Sequence, residues 1–285
     1  MKLNAMTIGV IGAGQMGSGI AQVMAWPAMQ QVLLFDANAA ALQCAMAGIQ
    51  TSLSKLASKG QLTEAEANAA LARLKPVQTL EALAHAEVII EAVPEIEALK
   101  CKIFSELDAL ADPETILASN TSSISITRLA AATNRPEQVV GMHFMNPVPL
   151  MKLVELIPGL QTAPQTSQRV SALAEAAGKT VVAARDMPGF IANRVLMPLL
   201  NEAFYALYEG IGSAEAIDTV MKLGMNHPMG PLQLADFIGL DTVLEILNVL
   251  HTGLGDPKYR PCPLLAQYVA AGWLGKKSGR GVYMY

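Results

Sequence analysis

Residues 7–11, Thr-Ile-Gly-Val-Ile, form a short apolar run that leads directly into Gly12-Ala13-Gly14-Gln15-Met16-Gly17. The stretch 14–25 then reads as a helix closed off by Pro27. A buried strand, a glycine turn and a helix in this order leave the chain little choice of fold. Gly12 permits the tight turn, Gly14 lets a pyrophosphate approach the backbone, and Gly17 lets the helix pack closely on the strand. The helix N-terminus then offers unpaired N–H groups and the positive end of its dipole to phosphates. A second apolar strand at 31–35 ends at Asp36, nineteen residues beyond Gly17. A carboxylate there accepts hydrogen bonds from ribose hydroxyls and repels a 2′-phosphate, so the pattern predicts a dinucleotide site with NAD favoured over NADP. FAD is the lesser rival, since the same turn serves it. The alternative is a structural glycine turn beside an ordinary surface aspartate.

The rest of the chain extends the pattern. An alanine-rich helix at 38–59 is ended by Gly60, and Thr63-Glu64-Ala65-Glu66 resembles a capping box opening another helix. Strands are predicted at 87–93, 115–119, 138–143, 152–157 and 180–184, with helical stretches between most of them and at 165–177. This alternation predicts a mostly parallel sheet with helices on both faces. After Asp186-Met187-Pro188-Gly189 the character changes, and helical patterns at 190–209, 214–222, 230–237, 240–251 and 263–271 follow with no convincing strand. The expected organisation is an α/β domain over 1–185 and an all-helical domain over 186–285, the latter large enough to fold as a unit.

Composition narrows the class of function. Hydrophobic residues make up 52% of the 285, ample for two cores, and the net charge of −4 argues against a general nucleic-acid binder. Cys44, Cys101 and Cys262 stand far apart with no CxxC pair, so neither a disulfide framework nor a zinc ribbon is expected, and no metal. No stretch of about eighteen apolar residues suggests a membrane span or membrane partner. The start, with Lys2 before an apolar run, imitates a signal peptide, but that run holds the turn glycines and lacks a cleavage site. A soluble, cytoplasmic protein is the default expectation.

Four residues stand at expected junctions after strands: Ser122, His143, Glu155 and Asn193. Ligands of open α/β sheets bind beyond the carboxyl ends of strands, which suits His143 for chemistry. Hydride transfer from an alcohol needs a base for the hydroxyl proton, and histidine titrates in the useful range. A carboxylate on its other nitrogen fixes the tautomer and stabilises the imidazolium. Glu155 has that chemistry, and it sits in an otherwise apolar strand where an unpaired carboxylate is costly. Ser122 and Asn193 are able to hold a substrate oxygen. The competing readings are a packing role for His143, a solvent-facing edge strand for Glu155, an N-cap role for Ser122 at a helix beginning near Ile124, and an outer helix face for Asn193.

Taken together, GVIGAGQMGSGIAQ, EAVPE, SNTSS, GMHFMNPVPLMKLVELI, DMPGFIANR, NHPMGPLQLADFIGLD and GKKSGRGVY resemble the L-3-hydroxyacyl-CoA dehydrogenase family, in this order and over essentially the whole chain. Within it the chain is most similar to the short bacterial members that act on 3-hydroxybutyryl-CoA. The resemblance implies a Rossmann-like N-terminal domain and a helical C-terminal domain that forms a homodimer. It implies NAD-linked interconversion of (S)-3-hydroxyacyl-CoA and 3-oxoacyl-CoA in the cleft between the domains. It also implies His143 as general acid/base, Glu155 as its partner, and Ser122 and Asn193 as substrate contacts. Cofactor contacts are implied at Gly12, Gly14, Gln15, Met16, Gly17, Asp36, Glu95, Lys100, Asn120, Ser122, His143 and Asn146, and CoA contacts at Ser52 and Lys59. Met145 stands where the family often has phenylalanine, which touches pocket shape but not proton transfer.

Two other functions keep the same fold: a dehydrogenase of a non-CoA 3-hydroxy acid such as gulonate, and a non-catalytic, crystallin-like NAD-binding protein. The β-hydroxyacid dehydrogenases with a catalytic lysine are disfavoured, because their lysine motif is missing where Asn193-Arg194 stands. Lys276-Lys277 are expected in a solvated tail, and the fifteen methionines are expected to fill cores or interfaces.

Overall fold

A computed structural model describes residues 6–285; Lys2, weighed above as part of a signal-like start, lies outside the described residues. The chain divides into two compact units between Asp186 and Met187.

The first unit is an α/β layer structure. In chain order it runs β1 (Thr7–Ile11), α1 (Gln15–Ala25), β2 (Gln31–Phe35), α2 (Ala39–Ser58), α3 (Glu64–Arg73), β3 (Leu74–Val77), β4 (Val88–Glu91) and α4 (Glu97–Leu110). Then come β5 (Ile116–Ser119), α5 (Ile126–Ala130), β6 (Val139–Phe144), β7 (Leu153–Pro158), α6 (Pro164–Ala176) and β8 (Thr180–Ala183). The strands form one sheet in the order β3-β2-β1-β4-β5-β6-β7-β8. Every neighbouring pair is parallel except β6 and β7, which are joined without a helix and run antiparallel. Strands β4, β5 and β6 are buried at every residue, as expected of strands covered on both faces. This is the Rossmann-like arrangement expected from the sequence.

Local chemistry explains most of the boundaries. The Asn38 side chain accepts from the N–H groups of Ala40 and Ala41 and starts α2. Thr63 and Glu66 close a reciprocal capping box on α3. The sequence reading has no strand at β3, because Leu-Lys-Pro-Val carries a proline. Pro76 is tolerated there because β3 is the edge of the sheet, where an N–H is dispensable. Asp186 was expected in the second domain. It clusters with the first, because its carboxylate accepts from Ser125 Oγ and from the N–H groups of Ile126 and Thr127, capping α5.

The second unit is helical: α7 (Ala192–Tyr208), α8 (Ala214–Gly224), α9 (Pro231–Ile238), α10 (Leu240–Leu254) and α11 (Pro263–Ala270). Its core gathers Met197, Leu200, Phe204, Leu232, Val243, Leu247, Leu250 and Leu265. Among the described residues no single helix is long and apolar enough to cross a membrane.

Lys276 and Lys277 are exposed, as expected, but the C-terminal stretch that carries them is fastened to the helical unit. The carboxylate of Asp236, 1% exposed, accepts from the N–H groups of Val282 and Tyr283, both at 2.9 Å, and from Tyr285 Oη at 3.2 Å. Lys277 pairs with Asp241 at 2.7 Å, and Arg280 lies over the Trp273 ring, 3.5 Å from its centroid. Gly281 is obligatory in this strap, because a Cβ there would strike Asp236 Oδ1. Asp218, also buried, accepts from the N–H groups of Leu232 and Gln233 and from Tyr283 Oη.

Candidate active site

The glycine turn does what its spacing requires. Gly12 has φ +98°, and a Cβ there would crowd the Ala92 carbonyl at 2.6 Å. A Cβ on Gly17 would collide with the Gly12 carbonyl, so the helix packs on the turn only because Gly17 has no side chain. Gly14 differs from both: nothing lies within 4 Å of its virtual Cβ, so its backbone faces open space. That space belongs to a cavity of about 730 Å³ whose wall includes Gly12, Gly14, Gln15, Met16, Asp36 and Val93. Asp36 Oδ2 accepts the Ala13 N–H at 2.7 Å and Oδ1 accepts the Asn38 N–H at 2.8 Å, so the β2 carboxylate and the turn form one unit. A bare phosphate-facing backbone, a helix N-terminus and a carboxylate on one cavity fit a dinucleotide. The sequence reading missed Val93, Leu99 and Lys102 of the wall, which reach the cavity from the β4–α4 connection and from α4. Their only signal was position after a strand at the same end of the sheet as the turn.

His143 and Glu155 lie on β6 and β7, within the strands predicted at 138–143 and 152–157, and stand directly opposite one another in the antiparallel register. His143 Nδ1 and Glu155 Oε2 are 2.8 Å apart, and both residues are buried, Glu155 to 1% exposure. Facing residues of an antiparallel pair share one face of the sheet, so the two backbones set this distance with little side-chain freedom to lose. The alternative of a solvent-facing edge position for Glu155 fails, because β8 continues the sheet beyond β7.

Ser122 is not a helix cap. The N-cap of α5 is Ser125, and α5 starts at Ile126. Ser122 belongs to a turn gathered around one oxygen of Glu95. Glu95 Oε1 accepts from Thr121 Oγ1 at 2.5 Å, from the N–H groups of Ser122 and Ser123 at 2.8 and 3.0 Å, and from both serine hydroxyls at 3.2 and 3.1 Å. Burial pushes the Glu95 carboxyl up, but Lys100 and the turn's hydroxyl and N–H donors outweigh it and hold it below the usual glutamate value. Asn120 Oδ1 accepts the Phe144 N–H at 2.8 Å, tying the end of β5 to β6 beside His143.

Lys100, expected as a cofactor contact, is held from below by carboxylates. Its side chain is 1% exposed, and its ammonium donates to Glu91 at 2.6 Å and to the Val93 carbonyl at 3.1 Å, 3.4 Å from Glu95. Asn146 follows β6 and is exposed. Ser52 and Lys59 are two turns apart on α2 and at its C-cap. They miss the shallow depression on α2 lined by Gln50, Thr51, Ser54, Lys55 and Ser58. Asn193 sits in the first turn of α7, in the helical unit. Among the described residues no cluster of three or more His, Cys, Asp or Glu is arranged to hold a metal ion.

Both units match known proteins. The sequence profile of the 3-hydroxyacyl-CoA dehydrogenase NAD binding domain matches residues 7–187, and that of the same family's C-terminal domain matches 189–285. The chain belongs to the 3-hydroxyacyl-CoA dehydrogenase family. It is 59% identical over 276 residues to a probable 3-hydroxybutyryl-CoA dehydrogenase of Bacillus subtilis, covering 97% of this chain and 96% of that one. It is 55% identical over 278 residues to the 3-hydroxybutyryl-CoA dehydrogenase of Bradyrhizobium diazoefficiens, covering 98% and 94%. The crystal structure of (S)-3-hydroxybutyryl-CoA dehydrogenase from Ralstonia eutropha superposes with a TM-score of 0.96 at 50% identity, covering 99% of both chains.

Proposed function

We propose that this protein is an NAD-dependent dehydrogenase that interconverts (S)-3-hydroxybutyryl-CoA and acetoacetyl-CoA. The observation that carries the reading is the His143–Glu155 pair, buried and in register across β6 and β7 in a dinucleotide-binding unit. Names of relatives at 55–59% identity over nearly the full length support the short acyl-CoA substrate.

Bound NAD supplies the hydride acceptor. The chain's own residues handle the proton and the oxygen. Glu155 on Nδ1 fixes the imidazole tautomer, so Nε2 of His143 is the atom that takes the 3-hydroxyl proton. The Glu155 carboxylate then stabilises the imidazolium so formed. Ser122 donates its hydroxyl to the substrate oxygen, leaving Glu95 to the turn's N–H groups, and Asn193 supplies an amide to the substrate. Asp36 receives the adenosine ribose hydroxyls and selects NAD over NADP. Ser52 and Lys59 take the CoA end, Lys59 by its charge.

The protein acts in this reading as a cytoplasmic homodimer joined through its helical unit. Large apolar side chains concentrate at the surface of α7, α8 and their flanks: Val195, Tyr208, Ile211, Val220, Leu223 and Met225 are all more than half exposed. Sedimentation velocity at micromolar concentration checks this, and a monomer refutes it.

The deciding assay follows NADH oxidation with acetoacetyl-CoA and with free acetoacetate. Turnover of the thioester and little of the free acid is expected. The reverse preference supports the non-CoA hydroxy-acid reading, and no turnover of either supports a non-catalytic protein.

A further inference from the structure

We propose that Glu91, which touches no expected ligand, is a positioning residue that aims the turn Thr121–Ser123 and the loop at Val93 toward the cofactor. The inference rests on the NAD-binding reading above.

Glu91 ends β4 and is fully buried. Its Oε1 accepts from Lys100 Nζ at 2.6 Å and from the Val93 N–H at 2.7 Å. Its Oε2 accepts from Ser119 Oγ at 2.7 Å, on the neighbouring strand and at the register position facing it. Two arms leave this carboxylate. One passes through Lys100 to Glu95 Oε2, 3.4 Å away, and so to the Thr121–Ser123 donors gathered on Oε1. The other passes through Ser119 Oγ, which accepts the Thr121 N–H at 3.2 Å. Both converge on the same turn. A third contact, at Val93, fixes a residue of the cavity wall itself.

A buried ion pair is a poor device for stability, since desolvation offsets its attraction and apolar residues of similar volume fill the space as well. What apolar residues lack is direction. Lys100, anchored by Glu91, presents a cation to Glu95 from a fixed point, and among the described residues Glu95, only partly buried, pairs with no other cation. Remove the Glu91 charge, and Lys100 swings wholly to Glu95, drawing it off the turn.

The test is NADH binding to the full chain, followed by fluorescence titration, with thermal unfolding measured in parallel. Glu91→Gln should weaken NADH binding roughly tenfold, the scale of one lost charge-assisted hydrogen bond, and lower the melting temperature. The double variant Glu91→Gln/Lys100→Gln removes the pair as a unit, so its melting temperature should recover toward wild type while NADH binding stays about tenfold weak. A purely structural pair predicts that affinity recovers together with stability, and that result overturns the proposal. So does wild-type affinity in Glu91→Gln. Ser119→Ala deletes one hydroxyl and one arm, and serves if the charge variants fail to fold; it should bind NADH about threefold more weakly, and unchanged affinity there overturns the proposal too. Wild-type protein that fails to bind NADH refutes the functional reading itself, whereas wild-type binding with unaffected variants refutes only the role of Glu91.

Discussion

Both units bury carboxylates deep in apolar surroundings, and they satisfy them in opposite ways. In the α/β unit, Glu155 faces an imidazole and Glu91 faces an ammonium. In the helical unit, Asp218 and Asp236 are met by backbone N–H groups and tyrosine hydroxyls, with no cation among their hydrogen-bond donors. A buried anion needs donors, not necessarily a counter-charge. Neutral donors suffice where the carboxylate only fastens one segment to another, as Asp236 fastens the C-terminal strap. A titratable or charged partner is needed where a proton is to move or a charge is to be aimed. The same side-chain type is therefore a structural staple in one unit and chemistry in the other, and its partners tell which.

Substitutions break the comparison in a definite order. The largest effect is expected at His143→Gln, with kcat down by roughly two to four decades and NADH affinity and melting temperature nearly unchanged. Near-normal turnover would remove His143 from the mechanism. Glu155→Gln should cost less, about ten- to a hundredfold in kcat, with a displaced pH–rate profile. A profile identical to wild type would dissolve the partnership despite the 2.8 Å contact. In the helical unit the expected effects are on stability alone. Gly281→Ala forces a Cβ against Asp236 and should destabilise that unit by about 2–3 kcal/mol, read by denaturant titration, with NADH affinity unchanged. A loss of NADH binding as large as the loss of stability would erase the distinction between staple and site.

How much of this was legible depended on the range over which each feature is encoded. The glycine turn and Asp36 are local: their spacing states their geometry, and the cavity lies where it must. His143 and Glu155 were legible as residue types, because a carboxylate in an apolar strand demands a partner. Their pairing was offered on that chemistry and on the family resemblance, but its geometry was not legible, since it depends on antiparallel register between β6 and β7 and on β8 covering the edge. β3 was hidden by Pro76, which only an edge position tolerates. Glu91, Asp218 and Asp236 looked like ordinary charged residues, because nothing near them in sequence reveals that donors from distant segments converge on them. The strap was half read for the same reason: its two lysines do face solvent, whereas the glycines beside them mark a close approach that nothing local announces.

The finest distinction between the two regions is the sign of their response to acid. Glu95 is held below its usual value, so its ionised form belongs to the folded state. Its contribution is present above about pH 4.5, the ordinary glutamate value, and is lost as pH falls through the lowered one. Asp236 is pushed up, first by burial and further by Asp218, against the pull of the Tyr283, Val282 and Tyr285 donors. The folded state therefore binds that proton more tightly than the unfolded chain, and stability falls as pH rises from the ordinary value near 3.8 through the raised one. Tyr285, pushed up to about 12 by burial and the same carboxylate, remains a donor throughout this range. Denaturation midpoints at pH 4 and pH 7 then separate two variants. Glu95→Gln should show its full deficit relative to wild type at pH 7 and a smaller one at pH 4. Asp236→Asn, which strands one backbone N–H at a cost of about 1 kcal/mol, should show a deficit that shrinks between pH 4 and pH 7. Deficits of the same slope would mean that the neutral donors around Asp236 hold its charge as firmly as Lys100 holds that of Glu95, and that a counter-charge distinguishes nothing here.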